Sequence, residues 1–345
     1  MEEQHRRRVR YQGTHPRTYQ EKYKELQPEK YAGEIAHIRE SGKTPAGTHV
    51  PILVREILDF LQIQPGQTGL DATLGYGGHA RQMLHCLDGR GHLYAVDVDP
   101  IESEKTVRRL AEEGFGPEIL TLRRMNFARL DEVAPGVAFD FALADLGVSS
   151  MQIDNPARGF TFKFDGPLDL RLDPTAGIPA SRRLLELDEE ELTELLRENA
   201  DEPWAGEIAG AVCGELRRGG EIATTRQLYA AVEAALAFLP AQERREAVKK
   251  SCQRVFQALR IDVNGEYEAL YSFLEKLPGV LRSGGRAAIL TFHSGEDRLV
   301  KQAFRHYYEQ GVYSDIAREV IRPSAEECRS NSRAHSTKLR WAVRA

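Results

Sequence analysis

Several things are scarce in this sequence, and each scarcity excludes something. Its four cysteines, Cys86, Cys213, Cys252 and Cys328, are scattered without a C-x-x-C pair, which argues against a thiolate metal site and against a disulfide framework; no metal is expected. No apolar run approaches the length a bilayer demands, so a membrane partner is excluded. The basic opening MEEQHRRRVRYQGTHP is not followed by the apolar core of a secretory signal, and a cytoplasmic protein is expected. Net positive charge is missing as well. With 47 Lys and Arg against 52 Asp and Glu the chain carries −5, so any grip on phosphates must be local.

What is present suffices for a large domain with an insertion: 345 residues, 41% apolar and 29% charged. The charge is unevenly placed. Residues 186–202 (ELDEEELTELLRENADE) are acidic, whereas the end of the chain carries Arg318, Arg322, Arg329, Arg333, Lys338, Arg340 and Arg344. Residues 1–47, rich in charge and turn formers, read as a partly extended arm with one short helix. From Val50 the apolar residues Leu53, Val54, Ile57, Leu58 and Leu61 follow helical spacing until Pro65-Gly66.

Short apolar runs then alternate with helical stretches, and residues 69–74, 93–98, 119–122 and 139–146 are predicted as buried strands. This alternation predicts an α/β fold with a mostly parallel, Rossmann-like sheet. Over 156–253 no strand pattern appears, while helical patterns cover 184–199, 204–217 and 225–239, so this segment is read as a helical insertion. A helix over 255–281, a strand over 286–292, a helix over 296–308 and a strand over 337–343 complete the pattern. Ligands of such sheets bind beyond the carboxyl ends of the strands, which gives motifs there the most weight.

The first strand runs into Asp71-Ala-Thr-Leu-Gly75-Tyr-Gly77-Gly78-His79. Glycines at a strand-to-helix turn let a nucleotide-like cofactor approach the backbone and a helix N-terminus. About twenty residues on, Asp97 stands where an acid accepts hydrogen bonds from ribose hydroxyls; its alternative role, a helix cap, suits Asp99 before Pro100 better. The turn lacks G-x-G-x-x-G spacing, and Asp71 would repel a pyrophosphate but suit a sulfonium and an ammonium, which favours S-adenosyl-L-methionine over NAD. The fourth strand ends at Asp145-Leu-Gly147-Val-Ser149-Ser150, where a carboxylate either holds a substrate amine or caps the next helix.

These blocks carry a family resemblance. In order along the chain they are His49-Val-Pro-Ile-Leu, Asp71 to His79, Asp145-Leu-Gly-Val-Ser-Ser with Arg158-Gly-Phe and Gly166-Pro-Leu-Asp169-Leu-Arg171, then Phe256-Gln-Ala-Leu-Arg-Ile with Val263-Asn264, and Phe292-His293-Ser294 with Glu296-Asp-Arg298. The tail Asn331-Ser-Arg-Ala-His-Ser-Thr-Lys338-Leu-Arg340 belongs with them. From about residue 47 onward the sequence resembles the ribosomal RNA small subunit methyltransferase H family, also called MraW.

The resemblance implies a class I S-adenosyl-L-methionine-dependent methyltransferase fold, with the methyltransferase domain over 48–155 and 254–345 and the insertion serving substrate recognition. It implies N4-methylation of a cytidine in the decoding region of 16S ribosomal RNA, either as RNA or in the small ribosomal subunit. Cofactor contacts map onto Gly77, Gly78, His79, Asp97, Phe127, Asp145 and Gln152, joined by Asp71 and Gly75 of the glycine turn. Asp145, His293 and Ser294 are the catalytic candidates, the last two touching the target base or capping the following helix. Asp169 and Arg171 form either a loop over the site or an internal salt bridge. The sequence departs from the family at its long N-terminal arm, at Met151 for proline, at Gly295 for leucine and at Val255 for threonine. A methyltransferase of another RNA and an inactive RNA-binding assembly factor remain alternatives, and the oligomeric state stays open, a homodimer included.

Overall fold

The computed structural model describes residues 51–345; the expected N-terminal arm, His49 and Val50 lie outside the described residues. After helix α1 (Val54–Leu61) come β1 (Thr68–Asp71), α2 (Gly78–Leu87), β2 (His92–Asp97), α3 (Pro100–Glu112), β3 (Leu120–Arg124) and β4 (Phe139–Asp145). The helical stretch follows, with α4 (Ser150–Asp154), α5 (Ala180–Arg183), α6 (Glu189–Ala200), α7 (Ala205–Arg217), α8 (Thr225–Ala235) and α9 (Ala241–Asn264). The chain closes with α10 (Glu266–Val280), β5 (Leu281–Thr291), α11 (Ser294–Glu309), β6 (Tyr313–Ile316), α12 (Ala325–Ser330) and β7 (Lys338–Arg344).

The strands form one seven-stranded sheet in the order β3-β2-β1-β4-β5-β7-β6. The five strands from β3 to β5 are parallel, and β7 runs antiparallel between β5 and β6. Asp71, Asp97, Asp145 and Thr291 therefore end on one edge of the sheet. The central strand β4 is buried along Phe141–Ala144 because helices cover both faces, and its near-continuous apolar run matches that position. Gly69 in β1 answers it: a Cβ there would stand 2.0 Å from the Phe141 ring.

Between β4 and α10 the helices build a separate core around Leu192, Leu196, Ile208, Leu228 and Leu259, apart from the two clusters that flank the sheet. The acidic run has a local use there. Asp188 caps α6 in a reciprocal box with Glu191, and Glu189, Glu190 and Glu191 fill its first turn, where the helix dipole favours negative charge.

Three expectations need correction. The helix read over 255–281 is two helices, α9 and α10, because Gly265 takes φ 54° and ends the first. The strand β5 begins at Leu281, and its early part carries a register shift against β4 near Gly284, at φ 75°. The strand β6, Tyr-Ser-Asp-Ile, has no counterpart in the sequence pattern; its four residues alternate too briefly to be told from loop.

Candidate active site

The glycine turn is organised by its neighbours' carboxylates and hydroxyls. Gly75 adopts φ 48°; its N–H donates to Asp97 Oδ2 at 2.7 Å and its carbonyl accepts from Thr106 Oγ1 at 2.7 Å. Gly77, at φ 70°, precedes α2, and a Cβ there would meet Thr106 Cγ2 at 2.7 Å, so α3 itself packs into the space that glycine leaves. Gly78 opens α2, whose first amides have no acceptor within the helix.

Three acids converge beside this turn. Asp71, at the end of β1, is buried; Oδ1 accepts from Thr73 N at 3.0 Å, while Oδ2 has no hydrogen-bond partner. Burial pushes its carboxyl up to about 7, against the pull of the Thr73 amide and of His79. Asp97 uses Oδ2 on Gly75 and Oδ1 on Asp99 N at 2.8 Å, and burial raises it to about 6. Each of its oxygens keeps a lone pair beyond those bonds.

Asp145 ends β4. Its N–H donates to Thr73 Oγ1 at 2.6 Å, Oδ2 lies 3.3 Å from His79 Nδ1, and Oδ1 is a buried oxygen without a hydrogen-bond partner. The other nitrogen of His79, Nε2, lies 3.0 Å from the Ile52 carbonyl. Both ring nitrogens thus face acceptors, an arrangement that only the imidazolium satisfies fully. Burial works against that charge, but the hydrogen bond and charge of Asp145 outweigh it and His79 is held above its ordinary value. The ring of His79 is thus engaged on both sides, by Asp145 and by the Ile52 carbonyl.

Asp99 and Arg158 form a connection that the sequence does not announce. Asp99 caps α3 through Oδ1, accepting from Ile101 N at 2.9 Å and Glu102 N at 3.2 Å. Its Oδ2 accepts from Arg158 at 2.8 Å and from Gln152 Nε2 at 2.8 Å. Arg158 also donates to the carbonyls of Arg171 at 3.1 Å and Leu172 at 2.7 Å. Burial works against the charge of Asp99, but this guanidinium holds its carboxyl below the usual range. Gln152 closes a capping box with Ser149, accepting from its N–H at 2.8 Å. Its side chain therefore supports Asp99, with one amide hydrogen left over. Phe127 sits past the end of β3, its ring against Phe273 at 5.3 Å.

The late-strand turn has a different character. His293 caps α11, its Nδ1 accepting from Glu296 N at 3.4 Å while Glu296 Oε2 accepts in return from His293 N at 3.4 Å and also from Phe292 N at 2.8 Å. The Nε2 of His293 lies 3.1 Å from Glu296 Oε1. Glu266, nearby, is held in a two-pronged pair by Arg260, both contacts 2.8 Å. Glu266, His293 and Glu296 offer ligand atoms within 4.8 Å of one another, but Arg260 already answers that negative charge. Ser294 is exposed and its hydroxyl donates to Asp201 Oδ2 at 3.2 Å. Asp169 and Arg171 form the internal salt bridge, with contacts of 2.7 and 2.8 Å.

Among the described residues no helix is long and apolar enough to cross a membrane, and all four cysteines are free thiols. The model of the MraW methylase family matches residues 46–345. Ribosomal RNA small subunit methyltransferase H 1 of Agathobacter rectalis is 61% identical over 345 residues, 100% of this chain and 99% of that protein. The protein of the same name from Lachnoclostridium phytofermentans is 62% identical over 342 residues, 99% of this chain and 93% of its own. The alignment with the Agathobacter protein includes residues 1–47, whereas that with the methyltransferase H of Acidobacterium capsulatum, 37% identical, covers 85% of this chain and 97% of that protein. The glycine turn, its acids and the ordered sheet edge thus all lie within the 46–345 match: the chain belongs to the MraW methylase family of S-adenosyl-L-methionine-dependent methyltransferases.

Proposed function

We propose that this enzyme methylates the exocyclic N4 of a cytidine in 16S ribosomal RNA, in the small subunit or a precursor of it, with Asp145 as the residue that receives the amine. The observation that carries this reading is the buried, unpartnered Oδ1 of Asp145, fixed by His79 at the strand end beside the glycine turn. Two carboxylate oxygens without partners, Asp71 Oδ2 and Asp145 Oδ1, fit a cationic ligand at that turn. S-adenosyl-L-methionine, when bound, supplies an electrophilic methyl group on a positively charged sulfur.

Asp97 would accept from the ribose hydroxyls, Asp71 would offset the ligand's positive charge, and the α2 amides would receive its carboxylate. The cytosine amine is a poor nucleophile because its lone pair is conjugated with the ring. Hydrogen bonds from its protons to Asp145 and neighbouring carbonyls favour a pyramidal nitrogen with the lone pair aimed at the methyl carbon. The base leaves its stack to reach that edge. Methylation at carbon 5 would need a thiolate to add to the ring. Cys252, however, is buried in the helical core and its thiol is pushed up to about 12, and Cys213 is buried there too.

RNA is gripped by the basic residues the fold leaves over. Arg333 is committed to Asp154 and Arg340 with Lys338 to Asp297, while Arg344 binds the carbonyls of Pro278 and Val312. Arg318, Arg322 and Arg329 are exposed, and Ile321, next to Arg322, pairs with Leu339, which lies opposite Leu290 near the end of β5. Tritiated methyl transfer to small-subunit RNA, followed by nucleoside mass spectrometry, tests the reading. N4-methylcytidine is expected, and label on carbon 5 or on another base would overturn it.

A further inference from the structure

Gly295 leaves room beside the first turn of α11, and that room is filled. A Cβ on Gly295 would lie 1.9 Å from the Tyr267 hydroxyl and 2.7 Å from its Cζ, so this phenol and any larger residue at 295 exclude each other. Tyr267 stands in the first turn of α10, with its hydroxyl donating to the Asn199 carbonyl at the end of α6, at 3.3 Å. Its ring leans on that of His293, with centroids 6.0 Å apart and planes at 54°. His293 follows β5, the strand paired with β4 so that Leu290 lies opposite Asp145.

Two aromatic rings are thereby brought together at the carboxyl edge, one strand from the amine-receiving carboxylate. Tyr267 is half-buried, its phenol tethered to the helical insertion. A base pulled out of RNA needs a flat apolar surface to replace the neighbours it has lost, and aromatic side chains supply this in single-strand recognition. A tethered ring is a good platform because its orientation is fixed before the base arrives.

We propose that Tyr267, admitted by Gly295, is a substrate-positioning residue whose ring stacks on an unstacked nucleobase of the RNA, either the target cytosine or its neighbour. This rests on the RNA-methylating reading above, and the wild-type assay checks that reading separately. If the wild type makes no N4-methylcytidine, the reading fails whatever Tyr267 does.

The test compares Tyr267→Phe, Tyr267→Leu, Gly295→Leu and the double variant Tyr267→Leu/Gly295→Leu. KM for RNA, kcat at saturating RNA and S-adenosyl-L-methionine affinity are measured for each. Tyr267→Phe keeps the ring and should keep the RNA KM within about twofold. Tyr267→Leu should raise it roughly tenfold, in the range expected for loss of one base–aromatic stack, with kcat and cofactor affinity little changed. Gly295→Leu must expel the phenol and should reproduce the Tyr267→Leu effect. The double variant, which refills the vacated space, should be as stable as wild type and no worse in KM than either single change. The proposal is overturned if Tyr267→Phe is as defective as Tyr267→Leu, for then the tether to Asn199 is what matters. It is overturned equally if the double variant restores the wild-type KM, or if none of the changes alters it.

Discussion

Two stretches of the same sheet edge treat buried acids in opposite ways. Around the glycine turn the carboxylates are left short: Asp71 Oδ2 and Asp145 Oδ1 have no hydrogen-bond partner, and Asp71 and Asp97 are raised to about 7 and about 6. Around the late-strand turn they are answered. Glu296 faces His293 and backbone amides, Asp297 is held by Arg340 and Lys338, and both acids lie below their ordinary values despite burial. The contrast teaches where a ligand is wanted, because a framework that can neutralise Asp297 with two cations could have done the same for Asp71. On the reading proposed above, the glycine-turn side is short of positive charge until a cation binds, whereas the acids of the late-strand side have their cationic or amide partners, although His293 Nε2 and Thr337 Oγ1 are left without a hydrogen bond there.

The largest expected effect comes from Asp99, the acid after β2 that is answered by a cation although it lies beside the glycine turn. Arg158→Met leaves Asp99 buried beside no cation, with the pair's side chains only 10% and 2% exposed. Loss of about 3–5 kcal/mol of stability is expected in chemical denaturation. A cost below about 1 kcal/mol would show that Asp99 does not depend on this partner. Next is the chemistry of the incomplete side. Asp145→Ala should lower kcat by roughly 10²–10³-fold at saturating donor, the scale of losing one preorganised group. The same assay on Asp297→Asn should show a stability loss and near-normal kcat in the folded protein, and equal kcat losses would erase the distinction.

Asp97→Ala should weaken S-adenosyl-L-methionine binding by about 1–3 kcal/mol in titration calorimetry, since ribose hydroxyls would lose a charged acceptor. Unchanged affinity would place the ribose elsewhere. The smallest effect concerns the basic tail. Replacing Arg322 with Gln should lower the slope of log affinity against log salt for RNA by about 0.7–1, whereas Arg333→Gln, whose cation already serves Asp154 at 3.0 Å, should leave it unchanged.

What the sequence made legible was local. The glycine turn, the acids after β1, β2 and β4, and the parallel order of the early strands are written in contiguous residues, so Asp71, Asp97 and Asp145 fall at strand ends on the sequence pattern alone. Pairings across long separations were not legible. Arg158 meets Asp99 across 59 residues, and nothing in either segment names the other. The tail reads as a uniform basic arm, yet Arg333, Lys338 and Arg340 serve buried or half-buried acids. The break at Gly265 did have a signal, an Asn-Gly pair at a helix end, but the apolar period runs across it and masked it. A cap at His293 was one of the two roles the sequence left open, and Glu296 three positions on completes the box.

Whether the donor side awaits a cation is decided most directly at Asp71. Its neighbours His79, Asp145 and Asp97 set its field, and burial keeps it largely protonated below about pH 7 in the cofactor-free protein. The folded state then holds a proton that the unfolded chain has released. Through this group, stability falls as pH rises from about 4 to about 7. Binding a sulfonium and an ammonium should reverse the balance and expel that proton. Titration calorimetry of S-adenosyl-L-methionine at about pH 6.5, repeated in buffers of different ionisation enthalpy, reads the proton count. Substantial proton release is expected for the wild type, much less for Asp71→Asn, and little for either at about pH 8.5. Binding with no release at the lower pH, or with the same release in Asp71→Asn, would contradict the idea of a donor side left incomplete for a cation.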